Sequence, residues 1–226
     1  MDQMEDWIEA LLKLDSPEDA LTEKQSKILR SAVDIFAEKG YAAASTNEIA
    51  QRAGVAEGTI FRHFKSKQDL LFTIIGPTMV KFIGPFAIKG FEKVLDSPYD
   101  SFELFLKSVL RNRLEFAKKN KRVLRILLQE IPFQHELREQ FLTHVAKTIM
   151  DKLMQNLSYY QQKGEMIEVP TLSALRFIGS VLIGHVVTHL LFFENAEDEE
   201  LQADRIVDYL LYGMSSVNRT NSEIKN

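Results

Sequence analysis

From Ser45 to Lys67 the sequence reads STNEIAQRAGVAEGTIFRHFKSK. A small residue, a glycine and an apolar residue follow one another in it, at Ala50, Gly54 and Ile60. Two short helices that cross closely need a small residue in the first helix, a glycine at the turn and an apolar side chain between them. This spacing is typical of a helix-turn-helix, whose second helix enters the DNA major groove. On these three residues alone, an ordinary helical hairpin remains the alternative.

Helix starts are marked by short polar side chains that are followed, three residues later, by an acid or an amide. Thr22-x-x-Gln25 and Ser45-x-x-Glu48 have the pattern of capping boxes, and Ser66-x-x-Asp69 is a further start of this kind. Gly40 is expected to end the first helix in the left-handed conformation that glycine tolerates. We therefore expect helices from 22 to 40, from 45 to 53, up to about 64, and from 66 onward.

Beyond residue 70, apolar residues keep recurring at helical spacing, and period-two alternation is nowhere sustained. Gly76-Pro77 and Gly84-Pro85 are expected to interrupt the helical chain, because a residue before proline is disfavoured in the α region. Further helices are expected near 98–119, 121–131, 134–163, 170–194 and 198–217. The sequence predicts an all-α protein.

The pattern around the helix-turn-helix extends over about residues 22–72, with every part in order. It consists of Ile28-Leu29-x-x-Ala32-x-x-x-Phe36-x-x-x-Gly40-Tyr41, Ile49-Ala50-x-x-Ala53-Gly54-Val55 and Gly58-Thr59-Ile60-Phe61-x-His63-Phe64-x-Ser66-Lys67-x-x-Leu70-Leu71. This pattern resembles the TetR family of transcriptional repressors. The resemblance implies an N-terminal three-helix bundle with the helix-turn-helix, plus a larger C-terminal helical domain for ligand binding and dimerisation. The expected division is an amphipathic extension over 1–21, a DNA-binding domain over 22–70 and an effector-binding and dimerisation domain over 71–226.

The resemblance also assigns DNA contacts. Thr46 and Thr59 fall at helix N-termini, where hydroxyls and free N–H groups meet phosphates. Asn47 and Glu57 fall where family members reach bases; asparagine can pair with adenine, and glutamate can accept from cytosine. The expected DNA-binding residues are Ser45, Thr46, Asn47, Glu57, Gly58, Thr59, Phe61, Arg62, His63, Lys65 and Lys67.

Two positions depart from the family pattern. The family commonly has tyrosine where Phe61 stands, and Phe61 has no hydroxyl for a phosphate. Ala56 stands where a small polar residue is common, so one further contact is missing. For Glu57 two interpretations stay open, because an acid in the first turn of a helix also stabilises the helix dipole.

Phenylalanine is abundant, with 15 residues, and most of them are expected in the core. A subset is expected to line a cavity for an apolar effector. Arg111, Arg113 and Arg125 are candidates for an anionic head group, although a solvated helix face is the alternative for each. The expected effector-pocket residues are Phe82, Phe86, Phe91, Phe102, Phe105, Arg113, Phe116, His185 and His189.

His185 and His189 are four residues apart, a spacing that can hold a metal on one helix face. The chain contains no cysteine, however, and no carboxylate lies within a turn of either histidine. We expect a pocket or interface role for both residues, with no metal and no cofactor. Catalysis requires converging acid, base or nucleophilic groups, and the sequence shows no such cluster. The protein is therefore not expected to be an enzyme.

The composition is that of a soluble globular protein, with 45% hydrophobic and 27% charged residues among 226. The lack of cysteine excludes disulfides, thiolate metal sites and cysteine nucleophiles, and it suits a reducing compartment. The acidic start lacks the basic region of a secretory signal. The uncharged run over 177–193 is shorter than the roughly 20 residues of a spanning helix, so a helix buried in protein is expected. Together these features predict a cytoplasmic protein.

The net charge of −4 is unevenly distributed. Residues 1–21 contain one lysine and seven acidic residues, whereas 22–70 contain eight basic and six acidic residues. DNA phosphates would repel the acidic extension, and its apolar stripe predicts packing on its own protein. A frayed tail is the alternative, since helices under about 12–15 residues are marginal alone. The stripe consists of Met4, Trp7, Ile8, Leu11 and Leu12.

These features predict a homodimeric, ligand-responsive repressor that binds double-stranded DNA at an inverted-repeat operator and is released by a small, largely apolar effector. A helical carrier or enzyme that retains a helix-turn-helix is the alternative. The helix that begins at Ser66 is expected to be the only covalent route from effector site to recognition helix.

Overall fold

A computed structural model describes residues 22–77, 84–143, 147–192 and 199–214. The described residues form helices joined by turns and loops, with no strand among them, which confirms the all-α prediction. The extension over 1–21 lies outside the described residues, so its packing stays a prediction. In chain order the helices are α1 (Glu23–Lys39), α2 (Thr46–Ala53), α3 (Glu57–His63), α4 (Lys67–Pro77), α5 (Gly84–Leu95), α6 (Phe102–Lys119), α7 (Lys121–Glu130), α8 (His135–Phe141), α9 (Lys147–Gln162), α10 (Thr171–Phe192) and α11 (Glu199–Tyr212).

The first helix begins at the predicted capping box. The Gln25 N–H donates to Thr22 Oγ1 at 3.3 Å, and the Thr22 N–H donates to Gln25 Oε1 at 2.8 Å. Two otherwise unpaired backbone donors are thereby satisfied. Gly40 ends α1 as predicted, but its φ of 79° and ψ of 158° differ from the left-handed helical conformation that was expected. A positive φ still favours glycine.

The chain divides into two compact units. The first takes in the described residues up to 88 together with residues 119–147. Within it α1 packs against α2, α4 and α7, α2 packs against α3, and α4 packs against α8. An ion pair of 2.9 Å joins Arg122 of α7 to Asp34 of α1. The core of this unit includes the fully buried Ile28, Phe36, Ile49, Ile60, Leu70, Leu71 and Ile74.

The second unit contains residues 89–118 and the described residues from 148 onward. The backbone N–H of Phe102 donates to Glu165 Oε2 at 2.6 Å, which satisfies a free donor at the start of α6. The rings of Phe102 and Phe105 lie 5.1 and 5.4 Å from the ring of Tyr160. The core of the unit includes Phe91, Leu95, Phe102, Phe105, Leu110, Leu157, Leu182 and Val207. The predicted functional boundary after residue 70 stays a prediction.

The predicted helix over 134–163 is described as two helices, and residues 144–146 between them lie outside the described part. The chain forms α8 and α9 there, with a wider π turn at residues 142–143 after α8. A π turn inserts an extra residue, so the apolar stripe changes direction. Leu142 is accordingly 49% exposed, whereas Leu157, further along the same predicted stripe, is buried.

The backbone at Gly76 is helical, contrary to the expectation, because α4 includes Gly76 and ends at Pro77. An interruption of the helical chain after Pro77 stays a prediction. A proline in the last turn removes only one helical hydrogen bond, and the bias against helix before proline is overcome there. Gly84 and Pro85 begin α5, where the missing proline N–H would have no helical partner in any case.

Helix α10 has 22 residues and, among the described helices, is the one long and apolar enough to cross a membrane by length and composition. Its own chain covers only one face, which includes Leu175, Ile178 and Leu182. Phe177 and Ile183 are 62% and 65% exposed. These side chains are exposed in the single chain, so the expectation of a helix buried in protein stays a prediction that requires a partner chain.

Candidate nucleic-acid interface

The turn between α2 and α3 has the predicted helix-turn-helix geometry. Ser45 caps α2, with the Glu48 N–H donating to Ser45 Oγ at 3.1 Å. Gly54 adopts a left-handed conformation, with φ 68° and ψ 34°. Ala50 and Ile60 are buried, so the small residue and the apolar residue meet the close helix crossing as predicted.

The predicted DNA-binding residues differ in exposure. Phe61 is 51% exposed, an unusual position for a large apolar ring without a partner. Six of the predicted residues are exposed: Ser45, Asn47, Gly58, Phe61, Arg62 and Lys65. Five are half-buried: Thr46, Glu57, Thr59, His63 and Lys67.

Glu57 accepts hydrogen bonds from two neighbouring side chains of α2, across the turn between the helices. Thr46 Oγ1 donates to Glu57 Oε1 at 2.6 Å, and Asn47 Nδ2 approaches Glu57 Oε2 at 3.5 Å. Gln51 Nε2 donates to Asn47 Oδ1 at 2.8 Å. The side chain of Asn47 is therefore held from both sides. Sequence reasoning missed Gln51, although its position four residues after Asn47 on one helix was a usable signal.

Lys67 points into the protein. Its ammonium donates to the carbonyl oxygens of Tyr41 at 2.8 Å, Ala42 at 3.4 Å and Ala44 at 2.9 Å. It also lies 4.4 Å from the centre of the Tyr41 ring. Lys67 thus holds the segment that leads into Ser45, and its predicted contact with DNA stays a prediction that competes with this arrangement.

Other cations of the first unit are engaged by carboxylates. Arg52 donates to both oxygens of Glu38, at 2.8 and 2.9 Å, and Lys39 pairs with Glu48. The hydrogen bond from Arg52 lowers the pKa of Glu38, and the bond from Lys39 lowers the pKa of Glu48.

The basic side chains at and just after the end of α3 differ from Arg52 and Lys39 in their partners. Among the described residues, the side chains of Arg62, His63 and Lys65 have no hydrogen-bond or ion-pair partner. Arg62 and Lys65 are therefore charged groups that are available for phosphates, and His63 is a further polar group beside them.

The predicted effector residues fall into separate groups. Phe91, Phe102 and Phe105 are buried in the second unit. The guanidinium carbon of Arg113 lies 4.0 Å from the centre of the Phe91 ring and 4.9 Å from that of Phe116. Phe82 and the side chain of Phe86 lie outside the described residues.

His185 and His189 lie on α10, where His189 is buried and His185 is half-buried. Burial, followed by the neighbouring His189, lowers the pKa of His185. In the part of the chain that the structure describes, no group of three or more His, Cys, Asp or Glu side chains could hold a metal ion.

Comparison with known proteins assigns the chain to a family. A family model for bacterial regulatory proteins of the tetR family matches residues 28–74. The chain is 31% identical over 214 residues to the uncharacterized HTH-type transcriptional regulator YerO of Bacillus subtilis. The aligned region covers 86% of this chain and 67% of YerO.

Among solved structures, the fold is similar to the transcriptional regulator FadR from Bacillus subtilis in complex with stearoyl-CoA. The TM-score is 0.61 at 23% identity, over 84% of this chain and 98% of FadR. It is also similar to AibR in complex with isovaleryl coenzyme A and operator DNA, with a TM-score of 0.63 at 19% identity, over 84% of this chain and 99% of AibR. With the helix-turn-helix in place and a relative matched over most of both chains, this protein belongs to the TetR family of bacterial transcriptional regulators.

Proposed function

We propose that this regulator is a cytoplasmic repressor that binds an inverted-repeat operator as a homodimer and is released by a small, largely apolar effector. The observation that carries the proposal is the α3 surface, where Arg62, His63 and Lys65 have no partner among the described residues. Exposed cations such as Arg62 and Lys65 attract phosphates, and a helix-turn-helix dimer reads two half-sites.

The proposed DNA contacts divide by chemistry. Asn47 is proposed to read a base, whereas Arg62 and Lys65 contact phosphates. The exposed ring of Phe61 suits a sugar or a thymine methyl group. The remaining proposed contacts are Ser45, Thr46, Glu57, Gly58, Thr59, His63 and Lys67.

The proposed dimer interface is built from α10 and α11. Phe177, Ile183 and Phe192 are exposed on α10, and Tyr209 and Tyr212 are exposed on α11. An apolar surface of this kind is typical of an oligomer interface. We expect α10 and α11 of both chains to bury more than about 1,200 Å² in total across a two-fold axis.

The proposed effector site lies in the second unit. Its large apolar core and the aromatic side chains around Arg113 suit a ligand with an apolar body. The ligands named for FadR and AibR, stearoyl-CoA and isovaleryl coenzyme A, are acyl thioesters and agree with this choice. Of the nine residues predicted from the sequence, the proposed lining takes those of the second unit: Phe91, Phe102, Phe105, Arg113, Phe116, His185 and His189. The roles of Phe82 and Phe86 stay predictions from the sequence.

The test is a selection of bound sequences from random duplex DNA with the full-length protein. We expect enrichment of an inverted repeat. Arg62→Ala is then expected to reduce the slope of log affinity against log salt by about one. Lys27→Ala is the matched control, because it removes a lysine that is paired with Glu23 on α1. A pool without any enriched sequence would overturn the proposal and favour a carrier.

A further inference from the structure

The cations of α6 have different surroundings. Arg111 is exposed and donates to both oxygens of Asp204, at 2.8 and 2.9 Å. Lys107 lies 2.6 Å from a carboxylate oxygen of Glu103 and 3.2 Å from one of Asp208. Both of these cations therefore have carboxylate partners.

Arg113, two residues after Arg111, has no such partner. Its guanidinium lies against the rings of Phe91 and Phe116, at 4.0 and 4.9 Å. Its hydrogen bonds run from Nε and Nη2 to a single neutral acceptor, the side-chain oxygen of Asn112. Among the described residues no carboxylate contacts it.

This arrangement leaves a charge uncompensated. A guanidinium carries five N–H donors, and one amide oxygen cannot satisfy them all. Burial lowers the pKa of Arg113 to about 10, which still leaves the group protonated at neutral pH. A cation taken out of water is costly unless it is paired with an anion and hydrogen-bonded.

We propose that Arg113, held between Phe91 and Phe116, is the anion-binding residue of the effector site and that the effector is an amphiphile with a carboxylate or phosphate group. This inference rests on the proposed function, since it concerns the ligand of the proposed effector site. The two rings cover part of the guanidinium. Its remaining N–H groups are left for the oxygens of one anionic group, in the fork geometry that arginine offers.

The apolar side chains around Arg113 indicate that the rest of the ligand is apolar. Phe91 belongs to the buried core cluster of the second unit, together with Phe102 and Phe105. An inorganic anion would pair with the charge and leave out the apolar side chains beside it, whereas a neutral lipophile would contact those side chains without pairing with the charge. An anion attached to an alkyl or acyl chain uses both.

The experiment is calorimetric titration of the full-length protein with four ligands of equal chain length: dodecanoate, dodecyl phosphate, dodecanoyl-CoA and dodecanol. Charge-assisted hydrogen bonds predict that the preferred anion binds about 10- to 100-fold more tightly than dodecanol. The ranking of the three anions distinguishes a carboxylate from a simple phosphate or a nucleotide phosphate.

Arg113→Met is expected to bind the preferred anion and dodecanol within about threefold of each other. Arg113→Lys, which keeps the charge without the fork, is expected to retain a reduced preference. Arg111→Met is the matched control and is expected to keep the full preference. Equal binding of anion and alcohol by the wild type, no binding of any of the four, or an unchanged preference in Arg113→Met would overturn the inference.

Melting of the ligand-free variants provides a second measurement. Replacing an uncompensated charge by an apolar side chain of similar length is expected to leave the Tm of Arg113→Met equal or higher. A Tm that falls by more than about 5 °C would mean that Arg113 is a packing residue and would also overturn the inference. Because no DNA is present, failure of operator binding remains a separate result that concerns only the repressor proposal.

Discussion

The hydroxyl of Thr46 donates a 2.6 Å hydrogen bond to Oε1 of Glu57, and each residue is the first of its helix. The bond therefore joins the N-termini of α2 and α3, the two places where backbone N–H groups point outward without helical partners. The carboxylate of Glu57 stabilises the N-terminus of α3. It also orients the side chain of Asn47, which is proposed to read a base.

Glu57→Gln tests whether this carboxylate positions other groups or reads a base. If it positions them, removal of a negative charge near phosphates is expected to raise the affinity for random duplex DNA by a few fold, and operator affinity changes little. Fluorescence anisotropy on operator and random duplexes provides the measurement. A loss of about 10- to 100-fold that is confined to the operator would instead identify Glu57 as a reader of cytosine.

Lys67→Met separates a phosphate contact from an internal role. Because the ammonium is held by the carbonyls of Tyr41 and Ala44, we expect weaker binding to all duplexes with an unchanged salt dependence. Loss of a direct phosphate contact would reduce the slope by about one. Lys65→Met is the comparison, since Lys65 is exposed and is expected to show that reduction. A lower slope for Lys67→Met would show that the side chain turns outward on DNA.

Charged substitutions on α10 test the proposed dimer. Phe177→Asp and Ile183→Asp place a carboxylate in an apolar interface, so each is expected to shift the protein from dimer to monomer at micromolar concentration. Sedimentation equilibrium measures this shift. Phe133→Asp is the control, because Phe133 is 83% exposed in the first unit and is not part of the proposed interface. A wild-type protein that sediments as a monomer would falsify the dimer proposal.

The pH dependence of stability depends on His185, whose pKa is lowered by burial and by His189. The unfolded chain takes up a proton at this residue near pH 6.5, whereas the folded chain does so only at lower pH. Stability is therefore lost as pH falls through this range, and it is recovered above it.

His185→Gln is expected to show a smaller decrease in Tm between pH 7.5 and 5.5 than the wild type, by less than about 3 °C because the group is only half-buried. Thermal melts followed by circular dichroism measure the difference. His135→Gln is the control, since the His135 side chain is exposed. Identical decreases in His185→Gln and the wild type would show that the folded environment of His185 does not affect its titration.

The starts of the helices were predictable because their causes are local. Thr22 with Gln25 and Ser45 with Glu48 act over three residues, and both pairs form the expected bonds. The helix-turn-helix was predictable for a similar reason, since the turn at Gly54 requires a particular backbone conformation.

The features that could not be predicted depend on distant parts of the chain. The direction of Lys67 is set by carbonyl groups more than 20 residues earlier. Arg111 and Arg113 are two residues apart in sequence and differ in their contacts, because Arg111 pairs with Asp204 from a distant helix whereas Arg113 lies against two aromatic rings. The π turn at 142–143 left no recognisable residue pattern.

The packing of α7 against α1 limits how the DNA specificity of this protein can be transplanted. In a chimaera that exchanges only residues 22–77, Arg122 would lose its ion pair with Asp34. If the donor has a residue other than glycine at position 40, its Cβ would lie 3.3 Å from the Gln129 side chain. The transferable cassette is therefore discontinuous in the gene. It comprises the helix-turn-helix segment together with residues 119–147. A transfer of the first segment alone requires a donor protein whose α1 already matches the recipient's α7.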